Sequence, residues 1–305
     1  MLLDAASLYF RAFYGVPTSV TAPDGRPVNA VRGFLDMTAR LVGTHRPTRL
    51  VACWDDDWRP EFRVAALPSY KAHRVAPEGG EEVPDELSPQ VPVLIEVLAA
   101  AGIARVGAPG FEADDVIGTL ATRARGPVDV VTGDRDLFQL VDDERGIRVL
   151  YTARGITDIE AVDEAAVSAK YGIPGRAYAD FAVLRGDPSD GLPGVAGVGA
   201  KTAAALITAF GDLAGIRAAV AKTVVPRPPL TAAVLKKLHA AHDYLDAAPV
   251  VVAVERGIDL PPVEGELPRV PADPDALAVL AERHNLDSPL RRLGAVLGWP
   301  ADVLG

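Results

Sequence analysis

At 305 residues and 49% hydrophobic content, the chain is long enough for one large domain or two modest ones and can bury a sizeable core. It contains no long uncharged apolar run, so no membrane span is expected; Met1-Leu2-Leu3-Asp4 puts an acid where a secretory signal would not, and a lone cysteine, Cys53, fits a reducing cytoplasm. The net charge of −10 argues against simple phosphate binding, but nine of the carboxylates are the candidate metal ligands described below, and without them the chain is close to neutral, so local charge must decide.

The first half alternates short apolar runs with amphipathic stretches. Residues 1–3, 50–54 and 128–131 predict buried strands, and 31–42, 92–101 and 114–125 carry helical apolar spacing. Strands alternating with helices predict an α/β fold, a parallel sheet covered on both faces. In such sheets ligands gather at the carboxyl ends of the strands. Each of the three strands runs out at an acid: Asp4, Asp55 and Asp134. The first strand has no lead-in, so a start upstream of Met1 is an expectation. A polar, Pro- and Gly-containing segment at 58–92 is too long for an ordinary connection. From 163 the chain turns helical and Ala-rich, with a Pro-marked loop at 224–229, a strand at 249–254 and a helix at 274–284. The expected division is therefore an α/β core over 1–162 and a helical region over 163–305.

Four acidic clusters follow in order. They are the strand-end acids Asp4 and Asp55, the latter trailed by Asp56 and Asp57; Glu112, Asp114 and Asp115 in Phe-Glu-Ala-Asp-Asp; Asp134 and Asp136 in Thr-Gly-Asp-Arg-Asp; and Asp187 and Asp190 in Gly-Asp-Pro-Ser-Asp-Gly. Asp55 is preferred over its two neighbours because it directly ends the apolar run. Singly, each acid reads as a surface group or helix cap. Together they cannot: two carboxylates about 4.5 Å apart repel by roughly 3–4 kcal/mol at an effective dielectric of 20. A converging set must take up protons or hard cations. An all-oxygen donor set suits Mg²⁺ or Mn²⁺ and not Zn²⁺, and His45, His73, His239, His242 and His284 are scattered without ligand spacing. A second feature is the glycine-rich stretch from Leu192 to Thr202, with Gly197, Gly199 and Lys201, ahead of an apolar helix. Glycines before a helix let backbone N–H groups approach a phosphate; a tight helix-helix turn is the plainer alternative.

The order and strand context of these clusters, with Arg11 close behind Asp4, resemble the 5′-3′ exonuclease and flap endonuclease family, which includes the 5′-nuclease domain of bacterial DNA polymerase I. The resemblance runs over nearly the whole chain. It implies a PIN/Rossmann-like nuclease core with a helix-hairpin-helix at about 184–210. It also implies one metal among Asp4, Asp55, Glu112, Asp114 and Asp115, and a second group of acids at Asp134, Asp136, Asp187 and Asp190, some of them holding the ion through water. The hairpin would bind the duplex backbone through Gly197, Val198, Gly199, Ala200, Lys201 and Thr202, and could hold K⁺ on the carbonyls of Leu184, Arg185, Pro193, Val195 and Val198. Within 58–92 the Tyr70-Lys71-x-x-Arg74 pattern resembles the family's helical arch. There Lys71 and Arg74, three apart on a helix, would grip the scissile phosphate beside the metals, with Arg11 assisting and Arg63 and Phe10 nearby on the DNA.

The resulting expectation is a stand-alone, monomeric 5′-nuclease that hydrolyses phosphodiester bonds near the 5′ ends of duplex or flap DNA. A non-catalytic DNA-binding relative is disfavoured by the full acidic set. A small-molecule phosphohydrolase is disfavoured because Asp4 is followed by Ala5-Ala6 and not by a second acid, and because it leaves the glycine hairpin unexplained.

Overall fold

Leu2 and Leu3 point to opposite faces of the first strand, and each face carries its own core. The computed structural model describes residues 1–222 and 225–300. Its sheet comprises β1 (Leu2–Asp4), β2 (Val51–Cys53), β3 (Ala104–Val106), β4 (Val128–Thr132), β5 (Ile147–Tyr151) and β6 (Glu160–Val162). The order is β3-β2-β1-β4-β5-β6, all parallel except the edge strand β6. Leu2 is level with both Val51 and Val130. The connections leave β1 for β2 on one side and return to β4 on the other, so the order reverses between β1 and β4. A crevice opens there at the carboxyl ends of the strands.

The helices are α1 (Ala5–Gly15), α2 (Asn29–His45), α3 (Glu61–Ala66), α4 (Gln90–Ala101), α5 (Ala113–Arg123), α6 (Glu164–Tyr171), α7 (Tyr178–Arg185), α8 (Ala200–Phe210), α9 (Leu213–Lys222), α10 (Ala232–Ala240), α11 (His242–Val252), α12 (Pro274–His284) and α13 (Asp287–Leu297). On one face, Leu2, Val51 and Cys53 pack with α5, α7, α8 and α11 through residues such as Val116, Phe181, Leu206 and Ala248. On the other, Leu3 and Ala52 pack with α1, α2 and α4, and α12 and α13 return to this face through Leu280, Leu290 and Leu293. Both cores therefore draw on residues from either side of 162/163. Among the described residues no single helix is long and apolar enough to cross a membrane.

Two local expectations are corrected. Residues 249–254 are not a strand: α11 runs to Val252 with Pro249 inside it. Its Val-rich end imitates a strand, but Leu245, Ala248, Val251 and Val252 recur at helical spacing and are buried, whereas Val250 is exposed. Pro249 has no N–H for the carbonyl of Leu245, and Arg217 donates to that oxygen instead at 3.4 Å. In segment 58–92 the basic pair does not lie on an α-helix. Residues 72–74 form one 3-10 turn, which Lys71 enters with φ +47°, and the chain then doubles back through a bridge between Val75 and Glu81, with Gly79 and Gly80 both at positive φ. Of the expected loop at 224–229, residue 224 lies outside the described residues, and 225–229 contain no helix or strand.

Candidate active site

β1 passes into α1 without a loop, so Asp4 is both the last residue of the strand and the N-cap of the helix, accepting from Ser7 N at 3.0 Å. A helix N-terminus favours a negative charge there. Its second oxygen, Oδ2, accepts from Thr132 at the end of β4 at 2.6 Å. Thr132 Oγ in turn accepts from Asp134 N at 2.9 Å. The two strands flanking the crevice thus present Asp4 and Asp134 side by side. Asp55 leaves β2 towards the same point, and its Oδ1 accepts from Ala113 N at the start of α5. Asp56 lies instead against Gly107 and 3.9 Å from Arg105, and Asp57 accepts from Arg59 N.

These acids open into a cavity of about 420 Å³ whose lining includes Asp4, Asp55, Glu112, Asp114 and Asp134. Lys71, Arg74 and Arg135 supply the opposing charge, and Phe10 lies on the rim. Burial pushes the Asp4 carboxyl up to about 6, with Asp134 adding repulsion. It pushes Asp55 up to about 7, with Asp4 adding repulsion. Asp114 is driven well above the carboxylate range by burial, then by Asp4 and Asp134. Burial works against the Lys71 ammonium, but the Glu112 carboxylate it contacts holds it well above its ordinary range.

The second group lies behind Asp134. Asp136 is buried, and its Oδ1 has no hydrogen-bond partner; burial and then Asp134, Asp190 and Asp187 raise its pKa. Burial lifts Asp190 to about 6, and Arg74 donates to it at 3.0 Å. Asp187 is held by Ser189 N and by Arg185 at 3.2 Å. Asp134 repels members of both groups, namely Asp4, Asp114, Asp136 and Asp190. As placed, no three acidic, His or Cys side chains among the described residues close around one point. The donor chemistry still fits hard divalent cations. The facing side chains are carboxylates, no His lines the cavity, one buried carboxylate oxygen, Asp136 Oδ1, is orphaned, and the acids are pushed towards neutrality by burial and by one another.

Several expected contacts take other positions. Arg63, expected at the DNA, is 2% exposed and bound to Glu112 and Asp115; a guanidinium sealed in that way cannot reach a phosphate. Tyr70, expected beside it, is buried, and its hydroxyl donates to Glu112 Oε2 at 2.6 Å. Asp115, grouped with the first metal, is fully buried and does not line the cavity. Arg11 borders an adjoining cavity of about 650 Å³ beside Phe10 and Tyr14, with its Nε buried and unpartnered. Arg74 also donates to Ser189 O at 2.7 Å, and Lys71 N donates to Asp190 O, so the 69–74 segment is tied to the loop bearing the second acids. Glu81, Trp58 and Arg135 also line the cavity and were not singled out in the sequence, although Arg135 stands between Asp134 and Asp136 and Trp58 three residues after Asp55; Glu81 arrives on the turn that doubles back onto Val75.

From that loop the chain enters the glycine hairpin between α7 and α8. Gly194 has φ +69°, and a Cβ there would stand 2.5 Å from the Arg185 carbonyl and Gly186 N, so the loop closes on the end of α7 only with glycine. The Leu184 carbonyl accepts from Val195 N, and the Val195 carbonyl from Val198 N; each oxygen keeps one acceptor position. Those of Arg185, Pro193 and Val198 belong to the same turn. Gly197, Gly199, Ala200 and Lys201 are exposed and Thr202 half-buried, whereas the Val198 side chain is buried, leaving only its backbone for a ligand. Lys237 of α10 reaches the hairpin too, donating to Gly197 O at 2.7 Å.

Comparison with known proteins matches this arrangement. Residues 1–172 fit the family model described as 5′-3′ exonuclease, N-terminal resolvase-like domain, and residues 173–275 the one described as 5′-3′ exonuclease, C-terminal SAM fold. A 5′-3′ exonuclease of Streptomyces coelicolor is 61% identical over 298 residues, covering 96% of this chain and 98% of that one. A DNA polymerase I of Mycobacterium bovis is 46% identical over 217 residues, 70% of this chain and 23% of the polymerase. A solved bacteriophage T5 flap endonuclease, in a pseudo-enzyme-product complex with DNA and metal ions, shares the fold with a TM-score of 0.61 at 16% identity, covering 97% of this chain and 98% of that one. With both of its halves matched in sequence and its acids assembled at the switch point of the sheet, the chain belongs to the 5′-3′ exonuclease family.

Proposed function

We propose that this 5′-nuclease hydrolyses phosphodiester bonds near the 5′ ends of duplex or flap DNA, with Mg²⁺ or Mn²⁺ held at the crevice. The observation that carries this reading is the delivery of Asp4, Asp55 and Asp134 by three parallel strand ends into one cavity that also holds Asp114, Lys71 and Arg74. Asp4, Asp55, Glu112 and Asp114 would hold one ion. Asp134, with Asp136, Asp187 and Asp190 behind it, would hold another, partly through water. Bound divalent ions lower the pKa of a water and stabilise a leaving oxygen.

The chain's own part is positioning and charge. Lys71 and Arg74 face the acids across the cavity, where they can offset charge developing on the phosphate. Arg11 and Phe10 line the adjoining cavity, where they would meet the reacting strand, and Phe10 offers a ring for a base. The exposed N–H groups around Gly197 and Gly199, with Lys201, suit the duplex backbone away from the cut. The carbonyls of Leu184, Arg185, Pro193, Val195 and Val198 are the candidate K⁺ ligands of that turn. What the S. coelicolor relative is named for, and what the phage enzyme was solved with, agree with this reading.

The test is Asp134→Asn, which keeps the shape of a residue facing both acidic groups and removes its charge. Single-turnover cleavage of a flap substrate should fall by orders of magnitude, while DNA affinity stays level or rises as repulsion of phosphate is relieved. A variant that cuts at the parent rate would refute the assignment.

A further inference from the structure

Arg63 and Asp115 form a saturated fork behind the cavity. Nη1 of Arg63 donates to Glu112 Oε2 at 2.6 Å and to Asp115 Oδ2 at 2.8 Å. Nη2 donates to Asp115 Oδ1 at 2.6 Å and to the carbonyl of Ala253 at 3.4 Å. Nε donates to the carbonyl of Val251 at 3.0 Å. A guanidinium has five N–H donors, and here every one is used. Asp115 is equally full: Oδ1 also accepts from Glu255 N at 2.8 Å, and Oδ2 from Glu112 N at 3.2 Å. An ionised carboxylate offers about four acceptor positions, so none is left for a cation.

We infer that Asp115 is not a metal ligand but the buried counter-ion of Arg63, and that Arg63 is a positioning residue which aims Asp114 and Glu112 into the cavity. The inference rests on the metal-dependent reading above and narrows its ligand set. The contrast with the neighbouring acid is direct. Asp114 lines the cavity and Asp115 does not.

The fork also explains why α5 begins where it does. At its N-terminus the Asp115 side chain accepts from Glu112 N at 3.2 Å, one half of a capping box, and Arg63 neutralises both carboxylates from behind. The same guanidinium bonds carbonyls at the C-terminus of α11, an end that favours a cation. One side chain thus joins α3, at the root of the 58–92 segment, to the start of α5 and the end of α11. Glu112 is fixed further by Tyr70 on the same oxygen, Oε2, which leaves Oε1 turned towards Lys71. Losing the fork would free Glu112 and loosen the turn that carries Asp114.

The test is Mn²⁺ binding to the full chain without DNA, followed by calorimetry and by the electron paramagnetic resonance of the free ion. Asp115→Asn, which leaves Arg63 bonded to Glu112, should bind Mn²⁺ within about threefold of the parent, whereas Asp114→Asn should lose about tenfold or more. Equal losses in the two would make Asp115 a ligand and overturn the inference. Arg63→Lys, which keeps the buried charge but not the fork, should leave Mn²⁺ and DNA affinity within about threefold and cut the single-turnover rate at saturating Mn²⁺ about tenfold. An unchanged rate would remove the positioning role. A parent that binds no Mn²⁺ would sink the metal reading instead. The counter-ion pairing would then be decided by thermal unfolding: it stands if Arg63→Met and Asp115→Asn each lower Tm more than the double variant does, and falls if the two losses add.

Discussion

Asp55→Asn should make the metal-free protein more stable at alkaline pH, although it removes a candidate ligand. Burial, and then the charge of Asp4, hold the Asp55 carboxyl at about 7 in the folded chain against 3.8 as the ordinary value. The folded state therefore binds the proton more tightly than the unfolded state. The stabilisation from that proton is fully present below about 3.8, declines as pH rises, and is gone above about 7. A shift of roughly three units corresponds to about 4 kcal/mol. The carboxyl faces an open cavity, and neighbouring acids share the titration, so about half of that, ~2 kcal/mol, is a realistic expectation. Asparagine keeps an acceptor for Ala113 N and carries no charge at any pH. In excess chelator at pH 8, thermal unfolding of Asp55→Asn should lie about 3 °C above the parent, and the two should converge only as pH falls below about 3.8. With saturating Mg²⁺ the order should reverse, because only the parent gains from the ion. A variant less stable than the parent at pH 8 in chelator would refute the claim that these carboxylates strain the metal-free fold.

Three further outcomes follow from the geometry. Lys71→Ala and Arg74→Ala should each slow single-turnover cleavage strongly with a modest loss of DNA affinity, and the double variant should fall short of additive because both serve one cavity; parent rates in both singles would remove them from the site. Lys201→Ala should weaken duplex binding and lower its salt dependence by about one phosphate contact, with little effect on cleavage at saturating enzyme; collapse of turnover with unchanged binding would place Lys201 in the active site. Gly194→Ala combines a positive φ with a Cβ 2.5 Å from the Arg185 carbonyl and should cost more than about 2 kcal/mol in unfolding studies, with duplex binding lost before catalysis on short single strands; a neutral substitution would mean the hairpin closes in another way.

The parts of the site that were legible in the sequence are those written locally. An apolar run ending at an acid marks a strand delivering a carboxylate to the carboxyl end of the sheet, which is why Asp4, Asp55 and Asp134 could be placed together from their positions alone. β3 and β5 escaped notice because Arg105 and Arg148 interrupt runs too short to show a period. The end of α11 was misread because β-branched residues suit strands, and here burial at helical spacing prevails over that preference. Arg63 was misplaced for a different reason. It stands in a polar segment that reads as exposed, and its partners lie 49 and 52 residues away. No local pattern announces an ion pair closed by the tertiary fold. Asp114 and Asp115 are adjacent and chemically identical, yet one faces the cavity and the other the fork, a distinction set by about 100° of helical rotation.

The most direct test of the central claim is cleavage of a 5′-flap duplex, labelled at either end in parallel, first in excess chelator and then with stepwise addition of Mg²⁺ or Mn²⁺. If the crevice acids hold the ions that cut DNA, the chelated enzyme should bind the substrate without cutting it. Cleavage should return with either metal, and the cuts should map close to the 5′ end of the flapped strand. Undiminished cleavage in chelator, or no cleavage of any 5′-ended duplex with either metal, would contradict it.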